Sequence, residues 1–554
     1  MDAAPDFDPK NSFYQDQIKQ NLVINVYKNN KWGTYRHLLL EELEEVETEH
    51  CVVGTTSVGD LSSLRLIKGP LTSETSLRKG SKLIYVKLIL AMSDSVVDFE
   101  MFQVYNFSLN FKDIMLASGR INADLFTPNR IGQQFPLGFE VSGRDSSGRR
   151  VIAVTNNAPL ASLVVAEEDL ILNVPESWSL EDASTIPLVY FTVIYALLWD
   201  NLLKPGTSIL IHSATGGVGI AALNVCLYHG CDIFVTVGTE EKRNYLKEHF
   251  PQIPDSHIGN SRDTSFEEMI KIQTNGRGVD IVLNSLIDDK LKASIRCMAR
   301  GGRFIEIGKF DLSIDTSLNL LLMEREISYH GVMMDQVFQN AIPIIIRLFK
   351  KIDDGIKLGY VKPLPRTVFK IDEVEAAFRY MTTGKHIGKI VVKTREEEQQ
   401  KVITPSKMLY SGIPRFHCHP EKSYIIVGGL GGVGMELADW LMLRGVKKLI
   451  LVSSSGIRSG YQTQRISIWK SYGVNVHISK KDVTTKKGCY DLIKESNELG
   501  PIDAVFNLAA VLKDALFEDQ TKENYRISLA PKASATLHLD EVTRELCPNL
   551  RFSL

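Results

Sequence analysis

Ile209-Leu210-Ile211-His212-Ser213-Ala214-Thr215-Gly216-Gly217-Val218-Gly219 passes from an aliphatic run of β type into a cluster of glycines, and an apolar-periodic helical stretch follows it to Gly230. The same order recurs downstream. Tyr424-Ile425-Ile426-Val427 leads into Gly428-Gly429-Leu430-Gly431-Gly432-Val433-Gly434, and a second helical stretch runs on to Gly445. Each copy continues into another apolar strand, over 231–238 and 447–454. Strand, glycine turn, helix and strand together make the βαβ unit of a dinucleotide fold, where the glycines let the backbone approach a pyrophosphate and the helix N-terminus stabilises its charge. One glycine cluster alone is a weak signal. Two, each in full βαβ context, predict an α/β chain with two Rossmann units.

The rest of the sequence agrees with a multidomain globular protein. At 554 residues the chain exceeds a single core, and domain-size statistics suggest roughly three to four units. Apolar residues make up 44% and charged residues 23%, an ordinary globular balance. Lys+Arg number 64 against 66 Asp+Glu, a net charge of −2 that provides no electrostatic footprint for nucleic acid. The first residues lack a basic segment followed by an apolar one, and the longest apolar run, Ile186 to Trp199, is too short to span a bilayer and is expected as a core helix. Seven cysteines, mostly far apart, do not suggest a disulfide framework. A soluble, cytoplasmic protein without membrane insertion is expected.

Residues 98–175 alternate short β-type runs with Gly and Asn turns and predict a small β-rich domain. The acidic run Glu41 to Glu49 reads as one exposed helix face. Thr394 to Lys422 lacks periodicity and reads as an interdomain linker.

The end of the second strand selects the dinucleotide. Val237-Gly238-Thr239 is followed by Glu240-Glu241-Lys242-Arg243, so the carboxylates come too late to take a ribose hydroxyl, while Lys242 and Arg243 would face a 2′-phosphate. NADPH is expected over NADH.

From about Asp98 to Lys393 the chain resembles the zinc-free medium-chain reductases, and most closely the enoyl reductase domain of an animal-type fatty acid synthase. The resemblance rests on six motifs in order: Ser108-Leu109-Asn110-Phe111-Lys112-Asp113, Gly138-Phe139-Glu140-Val141-Ser142-Gly143, His212 to Gly219, Asn260-Ser261-Arg262-Asp263-Thr264-Ser265-Phe266, Gly308-Lys309-Phe310-Asp311 and Gly384-Lys385-His386-Ile387-Gly388-Lys389. It implies a GroES-like β domain, residues 91–184 and 360–395, interrupted by a Rossmann NADPH domain, residues 185–359. It also implies that Gly216, Gly217, Val218 and Gly219 carry the pyrophosphate turn. Thr239, Lys242 and Arg262 would lie at the 2′-phosphate, and Asn284 and Ser285 near the nicotinamide. Tyr105 and Asn110 become candidate pocket residues, Tyr105 equally a core one.

No metal is expected. Zinc-dependent members need a cysteine and a histidine ligand, whereas Phe139 stands where a histidine would precede Glu140. His417-Cys418-His419 alternates too closely to make a tetrahedral site by itself. The chemistry left is hydride addition to the β-carbon of an enoyl thioester and protonation of the α-carbon. Lys309, after a predicted strand, and Asp335, at the end of the next, match the pair that the resemblance offers as proton donors.

Residues 421–554 resemble the ketoreductase domain of the same synthase, a short-chain reductase, through Gly428 to Gly434, Asp482-Val483, Phe506 to Leu512 and Ala530-Pro531-Lys532. The resemblance makes Lys532 catalytic, and Gly429, Gly431, Gly432, Gly434, Asp482 and Val483 cofactor-binding. The serine and tyrosine that complete such a site would follow Leu554, so this half is expected not to reduce ketones. Ser454 stands where the family carries an arginine, and Arg458 or Lys481 is expected to substitute. Residues 1–90 correspond by position to the end of a structural, pseudo-ketoreductase-like domain, and residues 396–420 to a linker. The expected partners are an enoyl thioester on an acyl carrier protein and a second copy of the chain or other synthase subunits, with no nucleic acid. Two alternatives stand beside this reading: an NADPH quinone or alkenal reductase, and a non-catalytic synthase fragment acting by dimerisation.

Overall fold

The aliphatic runs beside the two glycine clusters become the central strands of two parallel sheets. The computed structural model describes residues 5–20, 25–28, 31–33, 44–69, 99–125, 130–155, 160–308, 321–398 and 406–553. In the first sheet six parallel strands lie in the order Ile258–Asn260, Asp232–Val237, Ser208–Ile211, Val279–Asn284, Met298–Glu306, Ser328–Gly331. Side chains alternate between its faces. Ile209, Ile211, Val235 and Leu283 pack with Phe191 and Leu197 on one side, and Leu210, Phe234, Val282 and Phe304 with Phe266 and Leu291 on the other. Burial on both faces explains why these strands read as continuous apolar runs. Strand order reverses between Ser208–Ile211 and Val279–Asn284, which opens a crevice at their C-terminal ends.

The second sheet repeats the pattern with five parallel strands, Asn475–Ser479, Lys448–Val452, Ser423–Val427, Ile502–Asn507 and Phe552–Ser553. Between the two Rossmann units in sequence, the strand Lys389–Lys393 leaves the first and pairs antiparallel with Phe99–Leu109, closing a β domain that also contains Glu140–Asp145, Arg150–Val154 and Leu163–Glu167. The apolar run from Ile186 is the expected core helix, Pro187–Val193, prolonged by a π-helical turn over Ile194–Leu198.

Three organisational expectations are corrected. The hairpin Cys51–Thr55/Leu64–Lys68 lies before the boundary expected at residue 90, yet Val52, Val53 and Leu64 pack in the core of the β domain, and Ser162 N–H donates to Cys51 O at 2.9 Å. The acidic run contains the short strand Val46–Thr48, paired with Tyr410–Gly412, rather than a helix; Glu41 lies outside the described residues. The expected linker is fastened along much of its described length. Glu397 accepts from Leu180 N–H at 2.8 Å and pairs with Arg150 at 2.7 Å, while Glu398 accepts from the Tyr105 hydroxyl at 2.8 Å. That bond places Tyr105 in the core rather than in a pocket.

Residues 5–45 form a separate unit: a helix, Ser12–Lys19, and a hairpin, Val26–Lys28/Lys31–Gly33, gathered around Phe13, Tyr14, Tyr27 and Trp32. Among the described residues no helix is long and apolar enough to cross a membrane, and all seven cysteines are free.

The second Rossmann unit is anchored by a buried carboxylate. Asp503 accepts from Arg551 Nε at 2.8 Å, Lys422 Nζ at 2.8 Å and the Tyr424 hydroxyl at 2.5 Å. Burial alone would raise its pKa; the Arg551, Lys422 and Tyr424 donors outweigh this and hold it at about 2, below its ordinary 3.8. A depressed folded pKa adds stability that is complete above the unfolded value and is lost as pH falls through the folded one. Acid should therefore destabilise this unit progressively from pH 3.8 toward about 2. Asp503→Asn should lower its melting temperature at neutral pH, at a cost on the order of 3 kcal/mol, and flatten that acid limb in thermal melts run against pH.

Candidate active site

The first glycine turn is built by close approach. Ser213 adopts φ +53°, Gly216 is the extended N-cap of the helix Gly217–Tyr228, and no side chain caps that terminus. Its first N–H groups are thus left to a ligand or to water. A Cβ on Gly219 would lie 2.5 Å from Ser213 O and 2.6 Å from Ala214 C, and one on Gly217 would lie 2.9 Å from Lys389 Cδ and 3.0 Å from Val189 Cγ1. Gly217 and Gly219 are therefore packing glycines as much as ligand glycines. Half-exposed Val218 rests on the core below.

His212 lies beneath this turn. Its Nδ1 is 2.8 Å from Thr236 Oγ1 and its Nε2 2.8 Å from Ser294 Oγ. The Ser294 hydroxyl donates to Lys290 O at 2.7 Å, so Nε2–H donates to Ser294 and Nδ1 accepts from Thr236. Burial pushes its pKa down to about 3 and keeps the ring neutral.

At the end of the second strand Thr239 caps the helix Glu240–His249. Arg262 lies over Gly238, where a Cβ would meet its Nε at 2.7 Å. Lys242 Nζ reaches across to Gly384 O in the β domain at 2.7 Å. Burial, with the charge of Arg262 beside it, lowers the Lys242 pKa. Among the described residues neither cation has a carboxylate within ion-pair distance. Arg243, expected alongside Lys242, instead turns to Asp255 at 3.0 Å and Ile258 O at 2.6 Å.

At the C-terminal ends of the next strands Asn284 is wholly buried, with Nδ2 donating to Glu306 Oε2 at 2.6 Å and Leu286 O at 2.8 Å. Both amide hydrogens are committed, so Asn284 shapes the site rather than offering a donor to it. Ser285, whose hydroxyl meets that of Ser213 at 3.1 Å, forms the rim. Gly308 N–H donates to Glu306 Oε1 at 2.6 Å, and Lys309, the next residue, lies outside the described residues. The strand expected to end at Asp335 ends at Gly331; Asp335 sits in the first turn of the helix Met334–Asn340, only 1% exposed.

Sequence reasoning missed the role of one group. Lys389 Nζ, almost sealed from solvent, donates to Glu140 Oε1 at 2.7 Å, Asn110 Oδ1 at 2.7 Å and Leu109 O at 3.3 Å. Glu140 Oε2 accepts from Leu188 N–H at 2.7 Å. The available signal was a lysine opening the otherwise apolar run Ile390-Val391-Val392.

In the second Rossmann unit Gly431 caps the helix Gly432–Leu443, and Gly434 would clash with Gly428 O if it bore a Cβ, whereas one on Gly429 would lie 2.8 Å from Ile426 O. Lys532, in a π-helical turn over Ala530–Ser534, donates to Asn507 O at 2.9 Å, and Asn507 Nδ2 returns to Pro531 O at 2.9 Å. Asp482 builds its own turn by accepting from Thr484 N–H at 3.0 Å, and Val483 is buried beside Cys489. Lys480 lies against the strand-end loop near Ser454, where its Cε would be 2.8 Å from a Cβ on Gly456, and so joins Arg458 and Lys481 as a candidate cation there. Among the described residues no group of three or more His, Cys, Asp and Glu is placed to hold a metal ion.

Three family models match. Residues 422–553 match the KR domain, residues 255–392 the zinc-binding dehydrogenase family and residues 1–40 the pseudo-KR domain of fatty acid synthase. A highly reducing polyketide synthase from Emericella nidulans, easB, is 34% identical over 448 residues, covering 80% of this chain and 17% of the synthase. The chain thus spans about a sixth of that relative's length. The crystal structure of CurK enoyl reductase superposes with a TM-score of 0.54 at 28% identity over 63% of this chain and 100% of CurK. A mycobacterial protein, Rv1454c, complexed with NADPH, shares the fold at a TM-score of 0.51 and 18% identity over 62% of this chain and 100% of its own. The chain is similar to the reducing region of a highly reducing polyketide synthase: an enoyl-reductase-like medium-chain dehydrogenase fold, GroES-like domain plus Rossmann domain, followed by a KR Rossmann domain.

Sterically the two turns differ at one position. A Cβ on Gly432 would meet nothing within 4 Å, unlike one on its counterpart Gly217, whereas Gly219 and its counterpart Gly434 are both closed by backbone. Gly432→Ala should leave the melting temperature unchanged or raise it slightly, by less than the ~1 kcal/mol that alanine gains over glycine in a helix interior, since Gly432 opens its helix. Gly219→Ala should lower the melting temperature of the first Rossmann unit by several degrees in the same thermal assay.

Proposed function

We propose that residues 91–395 form an NADPH-dependent enoyl-thioester reductase of a fatty acid or polyketide synthase. The observation that carries this reading is the pair Lys242 and Arg262 at the end of the second Rossmann strand, with no carboxylate among the described residues within ion-pair distance, beside an uncapped helix N-terminus at the end of the first. A dianionic 2′-phosphate beside a pyrophosphate fits that arrangement; a bare ribose does not. Thr239 completes the phosphate wall, Gly216 to Gly219 the pyrophosphate turn, and Ser285 with Ser213 the rim at the nicotinamide end. NADPH, when bound, supplies the hydride that adds to the β-carbon of the unsaturated thioester. Lys309 and Asp335 are the proposed proton donors for the α-carbon, and Lys532 the lysine of the second site, with Gly429, Gly431, Gly432, Gly434, Asp482 and Val483 around its cofactor.

The acyl group is presented on a carrier protein, and the chain associates with a second copy or with synthase subunits. The pseudo-KR match supports a synthase of the fatty acid type, while the likeness to easB supports polyketide assembly; the reductive chemistry is common to both.

The test is NADPH oxidation by the purified chain with crotonyl and longer enoyl thioesters, beside a quinone. Thioester preference is expected; quinone preference would move the chain to the other reductase class, and no turnover would leave it a binding fragment. Lys242→Ala should raise the NADPH KM by about ten- to a hundredfold with kcat nearly unchanged, because its charge-assisted bonds are to the cofactor and to Gly384 O and none is to a reacting atom. Lys309→Ala should do the reverse, lowering kcat at an unchanged NADPH KM in the same steady-state assay.

A further inference from the structure

A short strap, Gly384 to Lys389, joins the β domain to the nucleotide turn. At its start Gly384 O accepts from Lys242 Nζ at 2.7 Å. Further along, Gly388 N–H donates to Thr215 O at 2.8 Å, inside the glycine turn. Gly388 adopts φ +71°, and a Cβ there would collide with Pro365 O, so the strap can take this course only with glycine. It ends in Lys389, whose stem lies against Gly217 and whose ammonium turns back to Glu140, Asn110 and Leu109 O in the β domain. The second oxygen of Glu140 accepts from Leu188 N–H in the first turn of the helix Pro187–Val193, in the nucleotide domain. One ion pair therefore grips both domains.

The chain crossings between the domains are pinned separately. Leu364 N–H donates to Thr185 Oγ1 at 3.1 Å, and the Tyr190 hydroxyl donates to Lys362 O at 2.9 Å while accepting from Asn224 Nδ2 at 2.9 Å. The crossings would hold the domains together without Lys389. A buried ion pair is a poor way to add stability, because desolvating both charges offsets most of their attraction, and an apolar pair of like volume generally does as well. What the pair adds is direction: the ammonium must meet Glu140, Asn110 and Leu109 O at once, which fixes the strap in register with the turn.

We infer that Lys389 and Glu140 are positioning residues that set the distance between the nucleotide turn and the substrate face of the β domain, acting through the strap Gly384–Lys389. The inference rests on the reductase reading for its kinetic consequence, while its structural consequence is independent of it.

The experiment is the double variant Lys389→Met/Glu140→Gln, which removes both charges, keeps volume and leaves an acceptor for Leu188 N–H. Its melting temperature should stay within a few degrees of wild type. Hydrogen exchange followed by mass spectrometry, in the absence of any ligand, should show peptides covering 213–219 and 384–389 exchanging at least tenfold faster together, with the crossings 184–190 and 360–364 unchanged. With enoyl thioester and NADPH, kcat should fall at least tenfold with less than threefold change in the NADPH KM. The isotope effect from NADPH deuterated at the transferred position should rise, as hydride transfer becomes slower than the other steps. Wild-type exchange in both peptides would overturn the inference whatever the activity. Faster exchange with unchanged kcat and isotope effect would reduce the pair to a structural clamp and overturn its positioning role. A wild-type chain without thioester turnover would instead sink the reductase reading, and the exchange result alone would then decide whether the pair holds the strap. If the double variant fails to fold, the pair carries stability rather than register, which also overturns the inference; Lys389→Arg, retaining the charge, should fold and exchange as wild type.

Discussion

Removing a carboxylate and an ammonium from water costs several kcal/mol for each ion, and the cost is offset only where the remaining donors and acceptors are saturated. Glu140 and Lys389 meet that condition. The ammonium has three oxygen partners, and the carboxylate accepts from two neutral donors besides it, Leu188 N–H at 2.7 Å and Asn110 Nδ2 at 3.1 Å. Because these partners come from Leu109–Asn110, Glu140, the helix after Pro187 and the strand at Lys389, satisfying one pair of charges fixes four segments that are distant in sequence. The geometry of the cleft follows. The glycine turn is held between Lys389 on one side and the neutral His212 below, and the strap that ends at Lys389 begins where Lys242 crosses to Gly384.

The parts legible in the sequence are those written locally. A strand with both faces buried needs an unbroken aliphatic run, and a helix that starts against a strand end needs glycine, so both βαβ units could be read from Ile209 to Gly219 and from Tyr424 to Gly434. Lys242 could be placed because the end of the second strand is a fixed position in this topology, whereas Arg262 was expected through the resemblance alone; the fold brings the two side by side. Arg243 shows the limit: it is adjacent to Lys242 and chemically equivalent to it, yet Asp255, twelve residues on, claims its guanidinium. No local pattern marks that pairing. Asp335 was misplaced for a related reason, since the strand it was expected to end stops at Gly331 and a helix begins at Met334.

Residues 394–422 misled for a different reason. The segment is polar and aperiodic, which is the composition of a linker, but its charges have buried partners. Arg395 lies 4.7 Å over the Tyr105 ring, Glu397 caps the helix that begins at Leu180, and Tyr410–Gly412 adds a strand to Val46–Thr48. A second set of contacts fixes the downstream Rossmann unit to the β domain. Arg130 pairs at 2.7 Å with Asp439, whose carboxylate also accepts from Trp469 Nε1 at 3.0 Å, and Ile131 enters the core formed around Trp469. A polar segment can be held in place when its charges find partners, and composition alone does not reveal whether they do.

The two cations at the end of the strand show how such partners can be withheld for a purpose. Lys242 and Arg262 stand close enough for Arg262 to lower the Lys242 pKa, and among the described residues only the more distant Glu241 carboxylate opposes that, with none within ion-pair distance. Holding like charges together raises the free energy of the empty site, and the fold tolerates this because Gly384 O accepts from Lys242 and Gly238 leaves room for Arg262. On the proposed reading, a dianion entering between them would remove that repulsion and add two attractions, so selectivity for a phosphorylated ribose would be stored in the unliganded protein rather than created on binding. A cleft preorganised in this way spends less of its binding energy on rearrangement, which leaves more of it to hold the reacting ends in register. The same logic would connect the proposed phosphate wall to the buried pair: Lys242 donates to Gly384, the first residue of the strap, and Lys389, whose stem lies against Gly217, is its last.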